Sequence, residues 1–123
     1  MAYGLLAELR QLQQAWPQDA AVREVLAKGL VNTLICAKQE NDLQRRDALL
    51  VELRQLQQAW PQDAAVREQL ATGLFNTLYY AKEENDLQRR DALLVELRQL
   101  QQAWPQDAAV RELLAKGSAI CQL

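Results

Sequence analysis

Apolar residues recur along this chain every three or four positions, interrupted at regular intervals by short polar turns. Val66, Leu70, Leu74, Thr77, Leu78 and Ala81 form one stripe at helical spacing. Asp63, just after Pro61, is an N-cap for that helix, and Asn85, tolerant of the left-handed conformation, ends it. A second stripe, Leu87, Leu93, Leu94, Leu97, Leu100 and Trp104, begins behind Asp86 and stops at Pro105, whose ring bars continuation. Gln88, Arg89, Arg90, Arg98, Gln101 and Gln102 fall on the other side and are expected to face water. The same two patterns flank this pair, which predicts six helices near 4–15, 20–39, 43–59, 64–83, 87–103 and 108–121. Connections of only a few residues make successive helices antiparallel neighbours. Gly73, repeated at Gly29 and Gly117, costs about 1 kcal/mol against alanine inside a helix. Close approach of a neighbouring helix is the expected reason for it.

The pattern is a repeat in the strict sense. Residues 18–61 and 62–105 are two copies of a 44-residue unit that differ at only six positions. Residues 1–17 form a half-repeat holding a second-type helix, because 5–17 match 49–61 except at Ala7. Residues 106–123 form the complementary half, a first-type helix that leaves the pattern after Gly117. The whole of 1–123 therefore reads as one repeat domain, and a fixed period of paired helices is the mark of a stacked-helix solenoid. Copies this similar point either to recent duplication or to engineering.

The run Pro61-Gln62-Asp63-Ala64-Ala65, a helix, Asn85-Asp86, a second helix and Pro105 resembles a tetratricopeptide repeat. In that family a Pro-Asn-Asn-Ala start, a Leu-Gly pair, a Gly-Asp turn and a closing proline mark each unit. Leu70-Ala71, Asn85-Asp86 and Pro105 stand at the last three of these places. The usual period is about 34 residues, so this repeat is about ten longer, as in long-period members such as kinesin light chains. The alignment adds about two helical turns before the inter-helix turn and about one after it. The resemblance spans nearly the whole chain. It implies an all-α, right-handed superhelical solenoid of antiparallel helix pairs, and a concave groove lined by the first helix of each repeat.

The six differences between copies cluster. They are Val25/Gln69, Lys28/Thr72, Val31/Phe75, Ile35/Tyr79, Cys36/Tyr80 and Gln39/Glu83. At 100° per residue all six fit an arc of about 140° on the first helix, largely opposite its core stripe of Val22, Leu26, Leu30, Thr33 and Ala37. Neutral drift on a solvated face is one explanation. It predicts equal drift on exposed parts of the second helix, yet the Arg45-Arg46 pair and Gln55, Gln57 and Gln58 are unchanged in the next copy. A contact surface is the other explanation. The resemblance places Glu24, Lys28, Val31, Asn32 and Ile35 in the ligand groove, followed by Glu68, Thr72, Phe75, Asn76 and Tyr79, then Glu112 and Lys116. It places Ala21, Ala65, Ala109 and Ala119 in the same groove. Phe75, Tyr79 and Tyr80 are the expected anchors, since aromatic side chains bury about 150–250 Å² each. For Tyr80, packing against the adjacent helix is an equal alternative. Asn32 and Asn76 suit bidentate bonding to a peptide amide, being poor choices inside a helix without a role. Glu24, Glu68 and Glu112 oppose Lys28 and Lys116, and Thr72 replaces the lysine in the middle copy, which argues against a carboxylate clamp.

Composition narrows the function class. Half the residues are hydrophobic and 24% charged, with a net charge of −2 and no block of like charge. Nucleic acid, which demands a basic stripe, is not an expected partner. No apolar run approaches the roughly 20 residues of a membrane span, and MAYGLLAELR does not read as a signal peptide. Cys36 and Cys121 occupy different places in the repeat, so free thiols in a reducing, cytoplasmic compartment are expected. There is no histidine, no phosphate loop and no nucleophile motif, so no enzyme activity, metal or cofactor is expected. The leading reading is a protein- or peptide-binding repeat scaffold. The alternative is a self-assembling or engineered structural protein that stacks end to end as a homo-oligomer. Leu5, Leu9 and Leu12 on one side, with Leu114, Ile120 and Leu123 on the other, would carry that contact.

Overall fold

The computed structural model describes residues 2–122, all of it helices and the turns between them. The helices are α1 (Ala2–Ala15), α2 (Ala20–Gln39), α3 (Leu43–Ala59), α4 (Ala64–Glu83), α5 (Leu87–Ala103) and α6 (Ala108–Cys121). Five of the six coincide with the periodicity, and α1 starts two residues earlier than expected.

Local chemistry accounts for the boundaries. Asp19 accepts from the backbone N–H groups of Ala21 and Val22 at the start of α2. Asp42, Asp63, Asp86 and Asp107 do the same for α3 to α6 through Arg45, Val66, Arg89 and Val110. Asn41 and Asn85 are left-handed, at φ 58° and 59°. Each allows a Schellman closure in which Asp42 N–H reaches Ala37 O at 2.8 Å and Asp86 N–H reaches Ala81 O at 2.8 Å.

The chain forms two compact units, Met1–Leu70 and Ala71–Leu123. The division falls inside α4 rather than at the repeat boundary after Pro61. In the first unit α2 packs on α1 and on α3, around Leu6, Leu26, Leu30, Leu34, Leu49, Leu50 and Leu53. A methyl group placed on Gly29 would lie 2.9 Å from Leu9 Cδ1 and 3.6 Å from Leu6 Cδ1. The glycine therefore permits the α1–α2 approach, as its recurrence suggested. In the second unit α5 packs on α6, and Gly117 faces Leu78, Leu94 and Leu97 at ordinary contact distance. Thr33 and Thr77, both buried, return their hydroxyl protons to Gly29 O and Gly73 O one turn back.

The stripe Val66, Leu70, Leu74, Thr77, Leu78 and Ala81 is buried throughout. Two expectations need correction. Leu87 is 45% exposed, because the first residue of α5 projects beyond the core. Arg90 is mostly covered and Arg46 is buried, beside Asp91 and Asp47 respectively. Their aliphatic stems pack while the charged heads stay near carboxylates. The constancy of the Arg45-Arg46 pair thus has a packing reason at Arg46, which weakens the contrast drawn against drift.

Candidate functional site

The expected binding positions lie on first-type helices, and the two units present them differently. On α2, Lys28 and Asn32 are exposed, Glu24 and Ile35 half-buried, and Val31 buried. Val31 therefore packs in the core of its unit and offers no surface to a ligand. Lys28 reaches Glu24 at 3.3 Å, one turn away on the same helix. On α6, Lys116 reaches Glu112 at 3.1 Å in the same way. With each ammonium already paired, a carboxylate clamp gains no support.

The α4 face is the more promising. Thr72, Phe75, Asn76 and Tyr79 share a stripe about 100° wide. The first three are half-buried and Tyr79 is 42% exposed. Tyr80, half-buried, meets Tyr79 edge to face, with ring centroids 6.5 Å apart and an interplanar angle of 71°. This arrangement suits the ring quadrupoles and stiffens the exposed ring. The Asn76 amide makes no hydrogen bond among the described residues, so it keeps donors and an acceptor for a ligand backbone. Glu68, half-buried, lies one turn before Thr72 on α4.

Sequence reasoning missed a second constellation. Arg23, on α2, donates from Nε to Asp63 Oδ2 at 2.7 Å and from Nη1 to Pro17 O. Its guanidinium lies 3.9 Å from the centroid of the Trp60 ring. The Arg23 and Asp63 side chains are only 8% and 12% exposed. Burial acts to raise the Asp63 carboxyl, but Arg23 and the Val66 and Ala65 N–H groups outweigh it and hold the group below its ordinary value. Nearby, Arg10 forms a bidentate pair with Glu52, at 2.9 and 2.7 Å. The signal in the sequence was the recurrence of Arg four residues after the Asp that caps each first-type helix, at 23, 67 and 111.

A shallow cleft between α1, α2 and α3 is lined by Arg10, Gln13, Leu26, Leu30, Glu52 and Trp60. Its two charged groups satisfy one another, so it offers no unmet charge to a small ligand. Among the described residues no group of acidic, cysteine or histidine side chains is placed to hold a metal. Nor is any helix there long and apolar enough to cross a membrane. Cys36 and Cys121 are unpaired and half-buried, and burial pushes the Cys121 thiol up. Comparison with protein-family models, curated proteins and solved structures gives no match.

Proposed function

We propose that this chain is a non-enzymatic scaffold that binds a protein or peptide segment on the α4 face of its second unit. One observation carries the reading. The helix positions at which the two copies differ include Phe75, Tyr79 and Tyr80, an aromatic cluster left partly open to solvent, while the core stripe beneath is identical. Aromatic groups with little rotamer freedom and a hydroxyl tip are the groups that dominate protein interfaces. Asn76 lies between the rings along the helix and would read the backbone of an extended segment. Binding would be burial on a preformed surface, without catalysis or cofactor. A right-handed solenoid of tetratricopeptide type suits such a role and is the architecture we infer. The paired helices, the capped turns and the long period support it.

The test is selection of peptides from a display library against the intact chain, followed by titration. Phe75→Ala with Tyr79→Ala should leave far-ultraviolet helicity unchanged. It should weaken selected peptides by at least roughly tenfold, as expected when two aromatic anchors are lost. Peptides that bind the double variant as tightly as the wild type would move the site off α4.

A further inference from the structure

Nearly the same helix sequence has two environments within the first unit. Leu49 on α3 is 3% exposed, whereas its counterpart on α1, Leu5, is 59% exposed. Trp60 lies under Arg23, whereas its counterpart Trp16 is 64% exposed. Glu52 holds Arg10 and Asp63 holds Arg23, but their counterparts Glu8 and Asp19 are exposed and carry no ion pair among the described residues. Asp19 caps α2 with Oδ1 alone, as Asp63 caps α4 with Oδ1 while Oδ2 takes Arg23. The difference is the α1–α2 pair, which packs alongside α3 and delivers two arginines.

The second unit carries that pair again. Residues 93–117 match 5–29 except at Val95 and Leu113, so α5 and α6 present Arg98 and Arg111 where α1 and α2 present Arg10 and Arg23. Both are exposed. Arg111 already donates to Pro105 O at 3.5 Å, as Arg23 donates to Pro17 O at 3.4 Å, so its guanidinium is held in the same pose. Two unpaired cations on one surface and two unpaired carboxylates on another are complementary in sign, and they stand at the repeat positions of the groups that pair as Arg10–Glu52 and Arg23–Asp63.

We propose that the surface formed by Glu8, Trp16 and Asp19 docks a second copy of this chain. That copy's Arg98 and Arg111 would occupy it as Arg10 and Arg23 occupy Glu52, Trp60 and Asp63 within the molecule. Leu5 and Leu12, exposed beside Trp16 on α1, are covered by the same contact. Leu114 and Ile120, half-buried on α6, stand beside it on the other copy, while Leu123 lies outside the described residues. The contact is heterologous, so each copy that joins offers both surfaces again and the assembly grows. It is weaker than its internal template, because Leu30, Val31 and Leu34 of α2 become Ser118 and Ala119 in α6 and Gln122 at its C-cap.

Light scattering and sedimentation from about 1 µM to about 1 mM would test this. The mass should rise from 14.0 kDa with concentration. Arg111→Glu and Asp19→Arg should each weaken association at least tenfold. Asp19→Asn, which keeps a competent cap, should do so without loss of helicity. An equimolar mixture of the Arg111→Glu and Asp19→Arg chains should assemble again, since every junction then pairs opposite charges. A constant 14.0 kDa at all concentrations overturns the proposal. So does association of the Arg111→Glu and Asp19→Asn chains within twofold of wild type, or a mixture that stays monomeric while both chains are helical.

Discussion

Arg23 is the residue whose removal tests the packing logic most directly. Arg23→Met keeps an unbranched apolar stem in place and deletes the charge. What it leaves is a carboxylate at Asp63 that is almost nine-tenths covered and has lost a 2.7 Å charge-assisted partner. Hydrogen bonds to charged groups contribute about 1.5–3 kcal/mol net, and the contact with Trp60 adds about 0.5–1 kcal/mol. The Val66 and Ala65 N–H groups still serve Asp63, so the cost stays below the roughly 3–5 kcal/mol seen when a fully buried pair is broken. A loss of about 2–3 kcal/mol at neutral pH follows. With a urea slope of about 1.5–2 kcal/mol/M, the unfolding midpoint drops by roughly 1–2 M. The pH dependence supplies a second check. The Asp63 carboxyl is held below its ordinary value in the folded chain, so the unfolded chain binds more protons between the two values. Its contribution is complete above the unfolded value of about 3.9 and is lost as pH falls through the lower folded one. The gap between wild type and Arg23→Met should therefore narrow by at least half on going from neutral pH to well below 3.9. A neutral-pH cost under about 0.5 kcal/mol would mark the pair as an ordinary solvated one. A gap of equal size at both pH values would remove the ion pair from the explanation.

The glycines and the left-handed asparagines offer sharper local tests. Gly117→Ala gains helix propensity and meets three leucine methyls at 3.5 Å, so it should stabilise by about 0.5–1 kcal/mol in urea unfolding. Gly29→Ala must push Leu9 aside from 2.9 Å and should gain clearly less, or lose; equal gains at both sites would contradict the role given to the α1–α2 approach. Asn85→Ala forces a side chain with no local hydrogen-bonding compensation into φ near 59° and should cost about 1 kcal/mol, while Asn85→Gly should be tolerated. Thermal melts of the two variants that coincide would argue that the turn relaxes out of the left-handed conformation.

Much of this fold is legible in the residue order because the forces that set it act over a few residues. A capping aspartate reaches N–H groups two or three positions on, as Asp19 and Asp86 do. Asn41 and Asn85 close helices through bonds that span five residues, and apolar stripes repeat with the helical turn. Helix bounds, caps and the identity of the α4 stripe followed from these rules. So did the arc of Phe75 and Tyr79, because angle on a helix is fixed by sequence distance. Burial was not legible in the same way, because it depends on what arrives from far along the chain. Arg23 reads as a surface cation until Trp60 and Asp63, about 40 residues later, close over it. Val31, expected on a binding face, is covered, and Leu87, expected in the core, is open. Leu5 and Leu49 make the point most plainly. Their local sequences are nearly the same and their exposures differ from 59% to 3%, so the cover over Leu49 is supplied from elsewhere in the chain. Local rules decide which face of a helix is apolar, and tertiary packing decides whether anything covers it.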